Sequence, residues 1–137
     1  MLIFRKQREG DHGDVCAIQW PATTSDSYVP IPGLTIQIPQ GVGTSALIIL
    51  NLPYAYAEGP DFPGGIFGIA INGAVSTVVG GFTTSTQTVP NTGRVPTTLV
   101  LNVPLAGTVQ TITALWRGVR SSEVIIDSPA TLTAILD

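Results

Sequence analysis

A chain of 137 residues can bury one core but not two ordinary ones, and only 11% of it is charged, well under the usual share of about a quarter. Its formal charge of -3 supplies no basic field, which argues against nucleic acid and anionic membrane surfaces as partners. The single cysteine, Cys16, cannot close an internal disulfide, the N-terminal apolar stretch is too short for a signal peptide, and no run approaches the length of a bilayer span. The sequence therefore predicts a soluble protein without membrane insertion, cytoplasmic or released without a standard signal peptide.

Residues 1–14 hold Arg5, Lys6, Arg8, Glu9, Asp11, Asp14 and the only histidine, His12. This concentration of charge predicts a solvated arm or tether, followed by one domain over 15–137. Beyond the arm, glycine and proline recur too often for a helix of ordinary length, and the intervals between them are rich in β-branched residues. Strands are expected at 15–20, 27–31, 34–38, 45–52, 65–71, 74–79, 81–88, 97–103, 108–116, 121–127 and 130–136. Leu34, Ile36 and Ile38 alternate with Thr35 and Gln37, the signature of a half-buried strand, and 109–115 alternates in the same way. "ALIIL" at 46–50 is apolar on both faces, as in a central strand or one covered by a partner subunit. Asn72-Gly73, set between "IAI" and "AVSTVV", predicts a type I′ hairpin, because that turn needs positive φ at both central positions. Short strands joined by turns predict an all-β sandwich, with a jelly roll the natural solution at this length. Mean hydropathy of +0.37 without a membrane segment implies that another subunit covers part of the surface.

Groups for bond-breaking chemistry are scarce. His12 lacks an obvious base partner, and Cys16 lies in an apolar segment where a thiol stays protonated. Glu58 and Asp61 fall short of the six to eight oxygens, roughly, that calcium takes. The Gly-Gly pairs at 64–65 and 80–81 lack the lysine and helix of a phosphate loop. No enzyme activity, metal or cofactor is expected. Trp20 and Trp116 read as core residues. Glu123 and Asp127 share a strand face, a spacing that suits pairing with Arg117 or Arg120 as much as acid/base work.

After residue 14 the only cations are Arg94, Arg117 and Arg120. In "NTGRVP" Gly93 permits a sharp turn while Pro90 and Pro96 stiffen both sides, so Arg94 is displayed at a fixed angle and loses little freedom on binding. On its own this geometry suits a carboxylate partner such as Asp61 at least as well as a ligand.

The segments "TTSDSYVPIPGL", "LIILNLPYAYAEGPDFPGGIFGIAIN", "TGRVPTTLV" and "LWRGVRSSEVIIDSPATLTAI" resemble, in order and with nearly matching gaps from about Thr24 to Leu136, the TNF-like N-terminal lectin domains of the Burkholderia fucose-binding superlectin. The resemblance implies a TNF-like jelly roll, a homotrimer, and fucosylated oligosaccharides bound between neighbouring protomers. By alignment the sugar-binding positions are Tyr56, Ile66, Thr83, Thr84, Asn91, Thr92, Arg94 and Arg120. Ile66 and Thr84 stand where the family has tyrosines, and Asn91 where it has a serine, which implies a wider or less polar pocket and with it either loss of fucose binding or a shift to another sugar. A structural or attachment trimer of the same fold, with these arginines bonded to acids, is the competing expectation.

Overall fold

The computed structural model of the chain describes residues 2–8, 11, 12, 18–85 and 92–137. Among the described residues no helix occurs and twelve strands are formed: β1 (Leu2–Arg8), β2 (Asp11–His12), β3 (Ile18–Gln19), β4 (Ala22–Thr23), β5 (Val29–Ile38), β6 (Ser45–Glu58), β7 (Gly64–Ile71), β8 (Ala74–Thr83), β9 (Val95–Pro104), β10 (Gln110–Val119), β11 (Glu123–Ile126) and β12 (Ala130–Leu136).

Alternating side chains sort these strands into two sheets. The first runs β1-β12-β6-β11-β4, with β9 on the other edge of β6; the second runs β5-β10-β7-β8, and β2 and β3 form a separate two-residue ladder. Every pairing is antiparallel. Leu34, Ile36 and Ile38 of β5 meet Ile48, Leu50 and Leu52 of β6, Phe67 and Ile69 of β7, and Ile112 and Trp116 of β10 in one core. The expected all-β sandwich is what forms.

The hairpin expected at Asn72-Gly73 is present, with φ of 51° and 84° at the two residues and Ile71 paired with Ala74. Asn72 also ties the turn to β10: its side-chain amide donates to Gln110 Oε1 at 2.6 Å, and its carbonyl oxygen accepts from the Thr111 amide at 2.8 Å. Trp116 is in the core at 1% exposure, as expected, whereas Trp20 is only half-buried.

The start of the chain differs from the expected solvated arm. Leu2 to Arg8 pair residue by residue with Leu136 to Ala130, so these residues close the edge of the first sheet. Phe4 packs against the core, and the strand pattern hidden among the charges is what earns the position. Cys16 lies outside the described residues.

β6 carries the feature that positions the site. Up to Leu52 its even-numbered residues face the core, but the pairing with β9 shifts between Leu52 and Ala55, after which Ala55 and Ala57 are the buried ones. Pro53 lies in this irregularity, where its missing N–H costs the ladder nothing. The change of phase turns Tyr56 outward.

Candidate functional site

Tyr56, half-buried on the outer face of β6, is the base of a first cluster. Beside it the chain enters β9 through Thr92, whose amide donates to the Ala57 carbonyl at 3.0 Å and whose hydroxyl accepts from the Ala57 amide at 3.0 Å. This reciprocal pair pins the loop to β6. The Thr92 hydroxyl also donates to the Gly93 carbonyl at 2.7 Å, and Gly93 adopts a φ of 69°, which lets the next residue turn back over the strand. Arg94 then reaches across the Tyr56 ring, with its guanidinium carbon 5.0 Å from the ring centre, and donates from Nη2 to Asp127 Oδ2. Burial, with Glu58 and Asp127 adding to it, pushes the Tyr56 hydroxyl above its ordinary value, so it stays a neutral donor. The bond to Asp127 raises the Arg94 guanidinium further and keeps it charged.

Both sequence readings of the acid partner are thereby corrected. Arg94 takes Asp127 rather than Asp61, and Asp127 is not paired with Arg117 or Arg120. Asp127 lies just past the end of β11, whose pairing with β6 sets Ile125 against Tyr56 and brings the following residue to the Arg94 loop. Arg117 instead stacks on Tyr28, 5.3 Å from its ring centre.

A second cluster stands on the other sheet. β10 and β11 are joined by a tight turn in which the Ser122 amide donates to the Val119 carbonyl at 3.0 Å, with Arg120 at φ 49° and Ser121 at φ 60°. Two non-glycine residues in the left-handed region cost stability, so side chains are retained here against local preference. Arg120 Nε donates to the Asp61 and Phe62 carbonyls at 3.1 Å each, while Nη2 donates to the Phe62 carbonyl and to Thr83 Oγ1. Phe62, itself at φ 42°, places its ring 5.9 Å from the Arg120 guanidinium carbon. Thr83 Oγ1 also donates toward the Phe62 carbonyl at 2.9 Å, and the Thr84 amide donates to the Pro63 carbonyl at 3.0 Å. Next to this network lies a depression of about 490 Å³ lined by Ile66, Val79, Gly80, Gly81, Phe82, Thr83, Val119 and Arg120. Ile66 pairs with Gly81 across the ladder, and the absent side chain there leaves the Ile66 side chain uncovered as an apolar part of the lining.

Replacing Ser121 by glycine relieves one left-handed residue without touching either cluster. It is expected to stabilise the protein by about 1 kcal/mol, raising the melting temperature by roughly 3 °C in a thermal scan.

Of the eight sequence-predicted site residues, Tyr56, Thr92 and Arg94 come together on β6 and the entry to β9, and Ile66, Thr83, Thr84 and Arg120 come together around β7, β8 and the β10–β11 turn. Asn91 lies outside the described residues. Asp127 and Phe62 were not among the sequence candidates. Asp127 carried the signal of an acid at a strand end near a lone arginine, whereas nothing local marks the positive φ of Phe62. The described residues contain no group of acids, histidine or cysteine able to hold a metal ion, and no helix among them is long and apolar enough to cross a membrane.

The model of the Bc2l-C N-terminal domain family matches residues 18–135. No curated protein matches the chain. Among solved structures, dimeric latent PorU from Porphyromonas gingivalis superposes with a TM-score of 0.54 at 12% identity, covering 98% of this chain and 12% of PorU. The insecticidal delta-endotoxin Cry8Ea1 from Bacillus thuringiensis gives 0.47 at 13% identity, covering 86% of this chain and 19% of the toxin. The chain thus spans a small part of each, and the PorU likeness speaks to fold alone.

Proposed function

Because this chain belongs to the family of the Bc2l-C N-terminal domain, the N-terminal domain of the Burkholderia superlectin, we propose that it is a homotrimeric lectin that binds fucosylated or related neutral glycans at the junctions between protomers. The observation that carries this reading is the pair of clusters: each presents one arginine beside an aromatic ring and a threonine, and the two stand on different sheets. A junction between protomers joins the Tyr56, Thr92 and Arg94 cluster of one chain to the Ile66, Thr83, Thr84 and Arg120 cluster of the next.

The strand order supports a TNF-like jelly roll, since β1, β12, β6 and β9 face β5, β10, β7 and β8. An apolar stripe supports assembly. On the outer face of the first sheet Ile3, 52% exposed, pairs with Ile135, which pairs with Leu47, and the neighbouring row sets Ile49 against Val100, 51% exposed. Such a stripe is costly in water and is covered by a second copy of the chain.

The chemistry suits an uncharged sugar. Guanidinium N–H groups donate to adjacent hydroxyls in a fixed geometry, the neutral Tyr56 hydroxyl donates or accepts, and the apolar depression beside Ile66 takes a face bearing a methyl or ring C–H groups. Single sites of this kind are weak, so a trimer gains by engaging several glycans on one surface. No bond-breaking step is assigned to it. A second reading, a structural or attachment trimer without sugar binding, is favoured by one observation: Arg94 is already bonded to Asp127. A glycan array followed by titration with fucose separates the two. Binding to fucosylated or other neutral glycans supports the lectin, and no sugar bound at high protein concentration overturns it.

A further inference from the structure

The geometry points to Asp127 as a positioning residue of the sugar site: it fixes the Arg94 guanidinium against the Tyr56 ring so that the rest of its N–H edge is preset for hydroxyls. This rests on the lectin reading above and adds to it a residue that does not itself touch the sugar.

Two features of the Arg94–Asp127 pair are unlike an ordinary surface ion pair. The partners are unequally placed, with the Arg94 side chain 56% exposed and that of Asp127 only 16% exposed. A pair whose cation is mostly in water adds little to stability, while sinking a carboxylate costs desolvation. Moreover, only one carboxylate oxygen is used. Asp127 Oδ1 is buried and takes no hydrogen bond among the described residues, and the neighbouring Ser128 Oγ is in the same condition. A half-satisfied buried carboxylate is a poor stabilising device, so its retention is explained by what it does to its partner.

What it does is remove freedom. Asp127 takes one Nη2 hydrogen of Arg94 from one side while the Tyr56 ring lies under the guanidinium at 5.0 Å, and Thr92, hydrogen-bonded to Ala57, holds the backbone two residues earlier. The head group is thus held on two sides and at its root, and Nε and Nη1 make no hydrogen bond among the described residues. An arginine immobilised beforehand does not lose its rotamer freedom when a sugar arrives, and part of the affinity resides in that saving.

The test is calorimetric titration of the intact trimer with a fucosylated oligosaccharide, for the unaltered protein and Asp127→Asn, combined with ¹⁵N spectra of the guanidinium groups of the free protein. Asp127→Asn is expected to weaken binding about three- to tenfold, with the loss in the entropy, and to leave the melting temperature unchanged or higher. In the free, unaltered protein, rotation of the Arg94 head group is expected to be slower than that of Arg5 on β1, and to become fast in the variant. Equal affinity of the two proteins, or an Arg94 head group as mobile as that of Arg5, overturns the inference while leaving the lectin reading in place. The mobility comparison needs only the unaltered protein and stands even if the variant fails to fold. Absence of any sugar binding by the unaltered protein overturns the lectin reading, and the inference with it.

Discussion

Arg94→Ala and Arg120→Ala are each expected to remove detectable glycan binding while leaving a folded oligomer of unchanged size. A guanidinium that donates two charge-assisted hydrogen bonds to adjacent hydroxyls supplies a large part of the affinity of a shallow sugar site, and its loss lowers affinity by about a hundredfold or more. For a weak single site that means no signal. Neither arginine is part of the core. The Arg94 side chain is more than half exposed, so its loss removes little packing; the part-buried Asp127 carboxylate is left without its partner, at a cost of about 1–3 kcal/mol that lowers the melting temperature without unfolding the protein. Arg120 is exposed, and its partners Asp61, Phe62 and Thr83 form a loop network rather than core packing. Array binding and light scattering on the same preparations check both halves of the expectation. Unchanged affinity in either variant counts against the assignment of that arginine.

Gly64→Ala is expected to act in the opposite way, through the fold. Gly64 lies at the start of β7 between Thr83 of β8 and Val119 of β10. A methyl group added there meets the Phe82 carbonyl oxygen and comes within 2.9 Å of both Thr83 Cβ and Val119 Cγ2. Backbone cannot give way as a flexible side chain can, so the ladder must shift, at a cost of about 2–3 kcal/mol or a fall in melting temperature of roughly 10 °C. Since Thr83 and Val119 flank Arg120, sugar affinity is expected to fall with it. Thermal scans of Gly64→Ala and Ser121→Gly should therefore move in opposite directions from the unaltered protein.

These residues also show what the sequence does and does not reveal. Alternation is local, so β5, β10 and the Asn72-Gly73 hairpin could be read directly from residue order. Pairing partners are not local. The run "LIFRKQR" looks like a charged arm until β12 is placed beside it, and Asp127 looks like a partner for Arg117 or Arg120 until the β11–β6 register carries it to Arg94. The Gly-Gly pairs show in the sequence only that they lack the lysine and helix of a phosphate loop; their role in letting β7, β8 and β10 approach closely needs the third dimension. Tyr56 depends on the phase change at Pro53-Tyr54: continued without it, the even-numbered alternation of β6 would have buried the ring. The site positions came from resemblance to a family; their division into two clusters on two sheets came from the fold.

That division gives the most direct test of a sugar site shared between copies of the chain. Arg94→Ala subunits keep an intact Arg120 cluster, and Arg120→Ala subunits keep an intact Arg94 cluster. On the proposed trimeric reading, unfolding the two together in equal amounts and refolding them is expected to give mixed trimers in which about a quarter of the junctions join one intact cluster to another. Titrated with a fucosylated oligosaccharide, the mixture is expected to regain binding at about that fraction of sites with the affinity of the unaltered protein, although neither variant binds alone. A mixture as inert as its components, shown by mass to have exchanged subunits, would contradict a site built across the junction.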